Sequence, residues 1–128
     1  MDDVRAKGLA IFGEVYGEEM ARGVAQTAES GTPFVSEQAR WTLDWAFGSV
    51  WAREGLARKM RSCAVLGMLI AGGHKDEIRF HTKMGIANGL TRAEIEEIFY
   101  TTIPYCGFPA SNVAKAAMLE AFAELDAQ

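Results

Sequence analysis

RKMRSCAVLGMLIAGGHKDEIRFHTKMGIANGLTRAEIEEIF, residues 58–99, is the stretch that decides the fold. Its apolar residues recur at three- and four-residue intervals, the repeat of one helical face. No part of it alternates β-branched residues with period two, as a half-buried strand would. The punctuation is helical too. Gly72-Gly73 is placed to end one helix and Gly89 the next, because glycine adopts the left-handed conformation at little cost. Thr91 followed by Glu94 has capping-box spacing, so hydroxyl and carboxylate satisfy orphan amides at a helix start. The segment from Arg58 to Ala71 is polar only at its beginning and apolar on nearly every side afterwards, the pattern of a helix buried all round. In so short a chain either the other helices wrap it or a partner subunit does, and the second alternative makes the protein a homo-oligomer.

The same intervals run outward in both directions and predict helices over 3–15, 18–29, 34–47, 57–71, 75–88, 92–105 and 109–125. The expectation is an all-α bundle of about six to seven helices forming one domain over 1–128. Pro104 should kink or end its helix, Gly107 permits a turn, and Pro109 suits the first turn of the last helix. Tyr105-Cys106-Gly107-Phe108 therefore reads as a bend. Trp41 and Trp45 share a helical face, and Trp51 falls in a loop with Gly48 and Gly55.

Composition sets the limits. With 49% hydrophobic and 23% charged residues the chain can pack a core, and a domain near this size buries about two-thirds of the surface its unfolded form exposes. A net charge of -4 with mixed signs argues against nucleic acid, since phosphate binding needs Lys and Arg gathered on one face. The densest basic stretch, Arg53 to Arg61, includes Glu54 and reads as the solvated start of a helix. The longest apolar run, Cys63 to Ala71, is far short of the roughly 20 residues that span a bilayer, and MDDVRAKG carries no signal core. A cytoplasmic protein is expected. Its two cysteines, Cys63 and Cys106, fit reduced thiols, and there is no CxxC or zinc-knuckle spacing.

Few residues can carry chemistry. His81 shares an inward face with Ile78 and Gly85, with Glu77 one turn before it. A histidine there either exchanges protons near neutrality, with Glu77 orienting the ring or raising its pKa, or is a core histidine bonded to a backbone carbonyl. His74, Glu77 and His81 also read as three metal ligands, but His74 falls before the first helical turn and its ring need not converge with the others. Cys106 is either a small buried residue or a thiol at a bend, able to ionise and act as nucleophile or acid; Cys63 reads as core. The tryptophans read as packing, with Trp51 the alternative candidate for a pocket wall. Arg40, Arg61 and Arg79 are candidate carboxylate clamps, since a guanidinium meets a carboxylate through two parallel hydrogen bonds.

The run FGSVWAREGLARKMRSCAVLGMLIAGGHKDEIRFHTKMGIANGLTRAEIEEIF, followed by YCGFPASN, resembles the carboxymuconolactone decarboxylases over about the last two-thirds of the chain. The residues that carry the resemblance are Gly48 with Trp51, Gly55-Leu56 followed by Arg61-Ser62, His81, Asn88-Gly89, and Tyr105 through Asn112. It implies an alkylhydroperoxidase D-like helical fold assembled as a homo-oligomer, a hexamer or trimer. It also implies a decarboxylase with no metal or organic cofactor, converting 4-carboxymuconolactone to the 3-oxoadipate enol-lactone in bacterial protocatechuate breakdown. On this reading His81 donates a proton or stabilises the dienolate, Arg40 or Arg61 orients the carboxylates, and Trp51, Tyr105 and Cys106 line the pocket. Between Gly48 and Val50, members acting on this lactone commonly carry an acid, whereas this chain has Ser49, so a sister enzyme acting on another lactone or keto acid is a second reading. Two further readings stay open. One is a thiol peroxidase-like protein, although redox members carry a CxxC where this chain has His74 and Glu77. The other is a non-catalytic helical module whose apolar face serves assembly.

Overall fold

Local signals set most of the helix ends in the computed structural model, which describes residues 2–128. α1 (Asp2–Tyr16) and α2 (Glu18–Glu29) are separated by Gly17 alone, at φ 95. Glu18 and Glu19 in the first turn of α2 face its positive end. α3 (Ser36–Arg40) runs on as a π-helix, Trp41–Trp51. α4 (Arg58–Gly72), α5 (Lys75–Ala87), α6 (Arg92–Cys106) and α7 (Phe108–Asp126) complete the chain. There is no strand among the described residues. The all-α expectation holds, with seven α-helices among the described residues at close to the expected positions. No described helix is long and apolar enough to cross a membrane.

The chain divides into two compact units, one ending at Leu56 and one running from Ala57 to Gln128. In the first, α1 lies against the π-helix at very short range. A Cβ on Gly8 would sit 1.9 Å from the Leu43 carbonyl oxygen, and one on Gly48 2.4 Å from the Val4 carbonyl oxygen, so only hydrogen fits at either crossing point. Phe12, Leu43, Phe47 and Trp51 fill the core beside them, and Arg5 clamps Asp44 through two hydrogen bonds of 2.5 and 2.8 Å. Trp51 is thus helical and buried, stacked on Phe47, rather than placed in a loop. Trp41 and Trp45 depart from the packing expectation: they are 59% and 66% exposed.

In the second unit the core is built from Leu66, Ile70, Ile78, Leu90, Ile95 and Met118, with Ala114 and Ala117 letting α7 approach closely. Gly73 ends α4 at φ 70, and Thr91 and Glu94 form the expected reciprocal capping box. The bend around Gly107 is tighter than expected. α6 continues through Pro104 to Cys106, α7 begins at Phe108, and Gly107 at φ 89 makes the whole turn. Pro104 ends nothing here, although a proline within a helix gives up one backbone hydrogen bond. Nor is α4 buried all round within the chain. Ser62, Leu66 and Ile70 face the core, while Ala64, Met68 and Ala71 are exposed on the opposite side.

Candidate active site

α5 is the element that positions chemistry. His74 is its N-cap residue, with its ring folded back over Gly72, so it stands before the first turn as the sequence suggests. Asp76 and Glu77 occupy the first turn, where carboxylates are favoured by the helix dipole. The helix closes on Asn88, followed by Gly89 at φ 105, and the Leu90 amide donates back to the Gly85 carbonyl at 2.8 Å. The Asn88 side-chain amide donates to the Ser62 hydroxyl at 2.9 Å, tying the end of α5 to α4. Asn88 and Ser62 both belong to the quoted motifs, but nothing in their spacing discloses that they meet.

The 3.6-residue repeat turns Ile78, His81, Thr82 and Gly85 inward. Thr82 satisfies its own buried hydroxyl by donating to the Ile78 carbonyl. His81 is 7% exposed, and its Nε2 lies 3.6 Å from the half-buried Glu77 carboxylate one turn earlier. Two effects oppose each other on this ring. Burial disfavours the imidazolium and dominates, holding the pKa below the ordinary 6.5, while the negative charge of Glu77 pulls it back up. The free protein therefore presents a neutral imidazole near pH 7, with a carboxylate placed to stabilise a proton once one arrives.

The other sequence candidates are distributed as follows. In the second unit, Arg61 lies in the first turn of α4, half-buried, with its Nε out of solvent. Cys106 ends α6, half-buried against the hydrophobic core, and Cys63 packs there too; both thiols are free. Tyr105 is 88% exposed. Arg79 is engaged by Glu124 at 2.9 and 3.1 Å and lies over the Phe80 ring. In the first unit, Arg40 donates to the Ala28 carbonyl at 2.9 Å and lies 3.8 Å from Glu29. The Ser49 hydroxyl donates to the Asp44 carbonyl at 2.6 Å. The structure thus brings His81 and Glu77 together, whereas Arg40 and Arg79 already spend their guanidinium groups on the protein itself. Among the described residues no cluster of His, Cys, Asp and Glu is arranged to hold a metal ion.

An inward, desolvated imidazole backed by a carboxylate is equipment for moving a proton in a water-poor site. Comparison with known proteins gives the family. The model of the carboxymuconolactone decarboxylase family matches residues 37–120, a span that takes in every candidate from Arg40 to Cys106. The 4-carboxymuconolactone decarboxylase of Acinetobacter baylyi is 35% identical over 125 residues, covering 97% of this chain and 91% of that protein. The nitrosuccinic acid decarboxylase of Metarhizium robertsii is 36% identical over 104 residues, covering 81% of this chain and 71% of that protein. The class these features define is a helical carboxy-lyase. Within that class, the chain belongs to the carboxymuconolactone decarboxylase family.

Proposed function

We propose that this protein decarboxylates 4-carboxymuconolactone, or a closely related carboxylated lactone, to the 3-oxoadipate enol-lactone without metal or organic cofactor. The observation that carries the reading is His81, buried on the inner face of α5 with Glu77 at 3.6 Å, in a chain similar along nearly its whole length to a protein of that name. The substrate supplies its own electron sink. When the bond to the departing carboxyl group breaks, the electron pair passes into the conjugated lactone carbonyl as a dienolate, carbon dioxide leaves, and a proton must be returned to carbon.

His81 is assigned to that proton. Its neutral resting state fits a carboxylated substrate, because the negative charge that arrives on binding offsets the burial penalty on the imidazolium. The ring then takes a proton from solvent, Glu77 steadies it, and the dienolate carbon receives it. Arg61, half-buried in the first turn of α4 in the same unit as His81, is the guanidinium assigned to the remaining carboxylate. Cys106 and Tyr105, beside the one-residue turn at Gly107, are assigned to the pocket wall. The same reading makes the chain one alkylhydroperoxidase D-like domain in a cytoplasmic homo-oligomer, a trimer or hexamer. The exposed apolar face of α4 supports that assembly.

A second substrate class is favoured by Ser49, whose hydroxyl donates to a backbone carbonyl at the position where the family resemblance implies that members acting on the lactone commonly carry an acid. A substrate whose leaving carboxylate adjoins a stronger sink, such as the nitro group of nitrosuccinic acid, needs less help from an acidic side chain, and a relative is named for that acid. The test is to assay carbon dioxide release from both compounds with wild-type protein and the Ser49→Glu variant. The lactone reading expects turnover of 4-carboxymuconolactone by the wild type. Turnover of nitrosuccinate alone would move the protein to the second class, and inertness toward both would overturn the assignment.

A further inference from the structure

Within the second unit, the seam between α4 and α5 is apolar except where Ser62 meets Asn88. The Asn88 side-chain amide donates to the Ser62 hydroxyl at 2.9 Å, and one turn further along α4 the Leu66 Cδ1 stands 3.8 Å from where a Cβ on Gly85 would lie. On the other side of this bond, the Lys59 Cδ stands 4.0 Å from the corresponding point on Gly89. The pairings run in opposite order along the two helices, so α4 and α5 are antiparallel. Ser62 is 2% exposed and directly follows Arg61. Asn88 lies about two turns beyond His81, on the face that also carries Gly85. An apolar contact such as Leu66 on Gly85 tolerates a small slide or roll of one helix over the other. A hydrogen bond between two short side chains does not, because distance and angle both limit it. Replacing both partners of such a pair by apolar groups of the same shape is nearly neutral for stability, so what the bond contributes is register.

We propose that Asn88 is a positioning residue: through its hydrogen bond to Ser62 it holds α4 in the register that sets the Arg61 guanidinium relative to His81 on α5. The inference rests on the reading above, in which Arg61 takes the remaining carboxylate and His81 the proton, and it adds a residue that touches neither. A guanidinium clamp works where its two parallel hydrogen bonds can form, so a slip of α4 weakens its hold on the substrate. The clamp grips the same carboxylate before and during bond cleavage. Its misplacement therefore falls on KM, while His81, carried by α5 itself, preserves kcat.

The test compares wild type, Asn88→Leu, Ser62→Ala and the double variant. Carbon dioxide release is followed with whichever of 4-carboxymuconolactone and nitrosuccinate the wild type consumes. Exchange of the Arg61 Nε proton with water is followed by NMR, a reading that needs no turnover; this Nε is out of solvent in the wild type. Each single variant should raise KM about tenfold with kcat held within about twofold, and should quicken exchange at Arg61 about tenfold. The double variant should match the single ones rather than multiply their effects, because all three remove the same bond. Its denaturation midpoint should return toward that of the wild type while KM does not. The proposal is overturned if Asn88→Leu leaves KM and Arg61 exchange unchanged, or if kcat falls in place of the rise in KM. It is overturned too if the double variant recovers wild-type KM along with stability, since the pair would then serve packing alone. A wild type inert toward both compounds would instead end the decarboxylase reading, and Arg61 exchange would still decide for or against Asn88.

Discussion

His81 is where burial and chemistry compete most directly. Its imidazolium is disfavoured by desolvation more than it is favoured by Glu77, so the folded ring titrates below 6.5 while the unfolded ring titrates near that value. Between the two values the unfolded chain binds the extra proton, and stability is therefore lost as pH falls through that window. Replacing the ring by an uncharged amide removes this dependence. Chemical denaturation at pH 7 and pH 5 should show the wild type losing more stability on acidification than His81→Gln, and equal losses would contradict the account of this ring. The inward placement of His81 was legible in the sequence, because three- and four-residue spacing fixes a helical face. The commitment of Arg40 was not, because its acceptor is the backbone carbonyl of Ala28, twelve positions away, and no side-chain pattern announces a carbonyl.

Among the elements, α6 and the π-helix mark the two ends of legibility. α6 starts where Thr91 and Glu94 say it should, because a capping box is satisfied within three residues of itself. The π-helix has no such local signature. It is accompanied by long-range contacts: the approach of Gly8 to the Leu43 carbonyl, the fit of Gly48 against Val4, and the Arg5 clamp on Asp44. That is why a helix over 34–47 is visible in the sequence and its continuation to Trp51 is not. Gly8→Ala should destabilise the first unit by about 1–3 kcal/mol or more, since the added methyl meets a backbone oxygen that cannot swing aside. An unchanged denaturation midpoint would show that the α1 crossing is looser than described.

At the scale of the whole chain, both units expose large apolar side chains. Trp41 and Trp45 are exposed in the first unit, and Met60, Met68, Tyr105 and Phe108 in the second. The apolar pattern of α4 continues onto its exposed side at Ala64, Met68 and Ala71, the face that the proposed assembly would cover. Light scattering should give a mass that is a multiple of the 14.0 kDa chain, and Met68→Glu should lower it. A monomer at micromolar concentration would remove assembly from the account. The central claim is that His81 returns the proton after carbon dioxide leaves. Its most direct test is carbon dioxide release from 4-carboxymuconolactone by wild-type and His81→Gln proteins of the same oligomeric mass, with no added metal or cofactor. The account predicts turnover by the wild type and a rate lower by about 100-fold or more in the variant, the usual worth of a placed acid; a variant that turns over as fast as the wild type would contradict it.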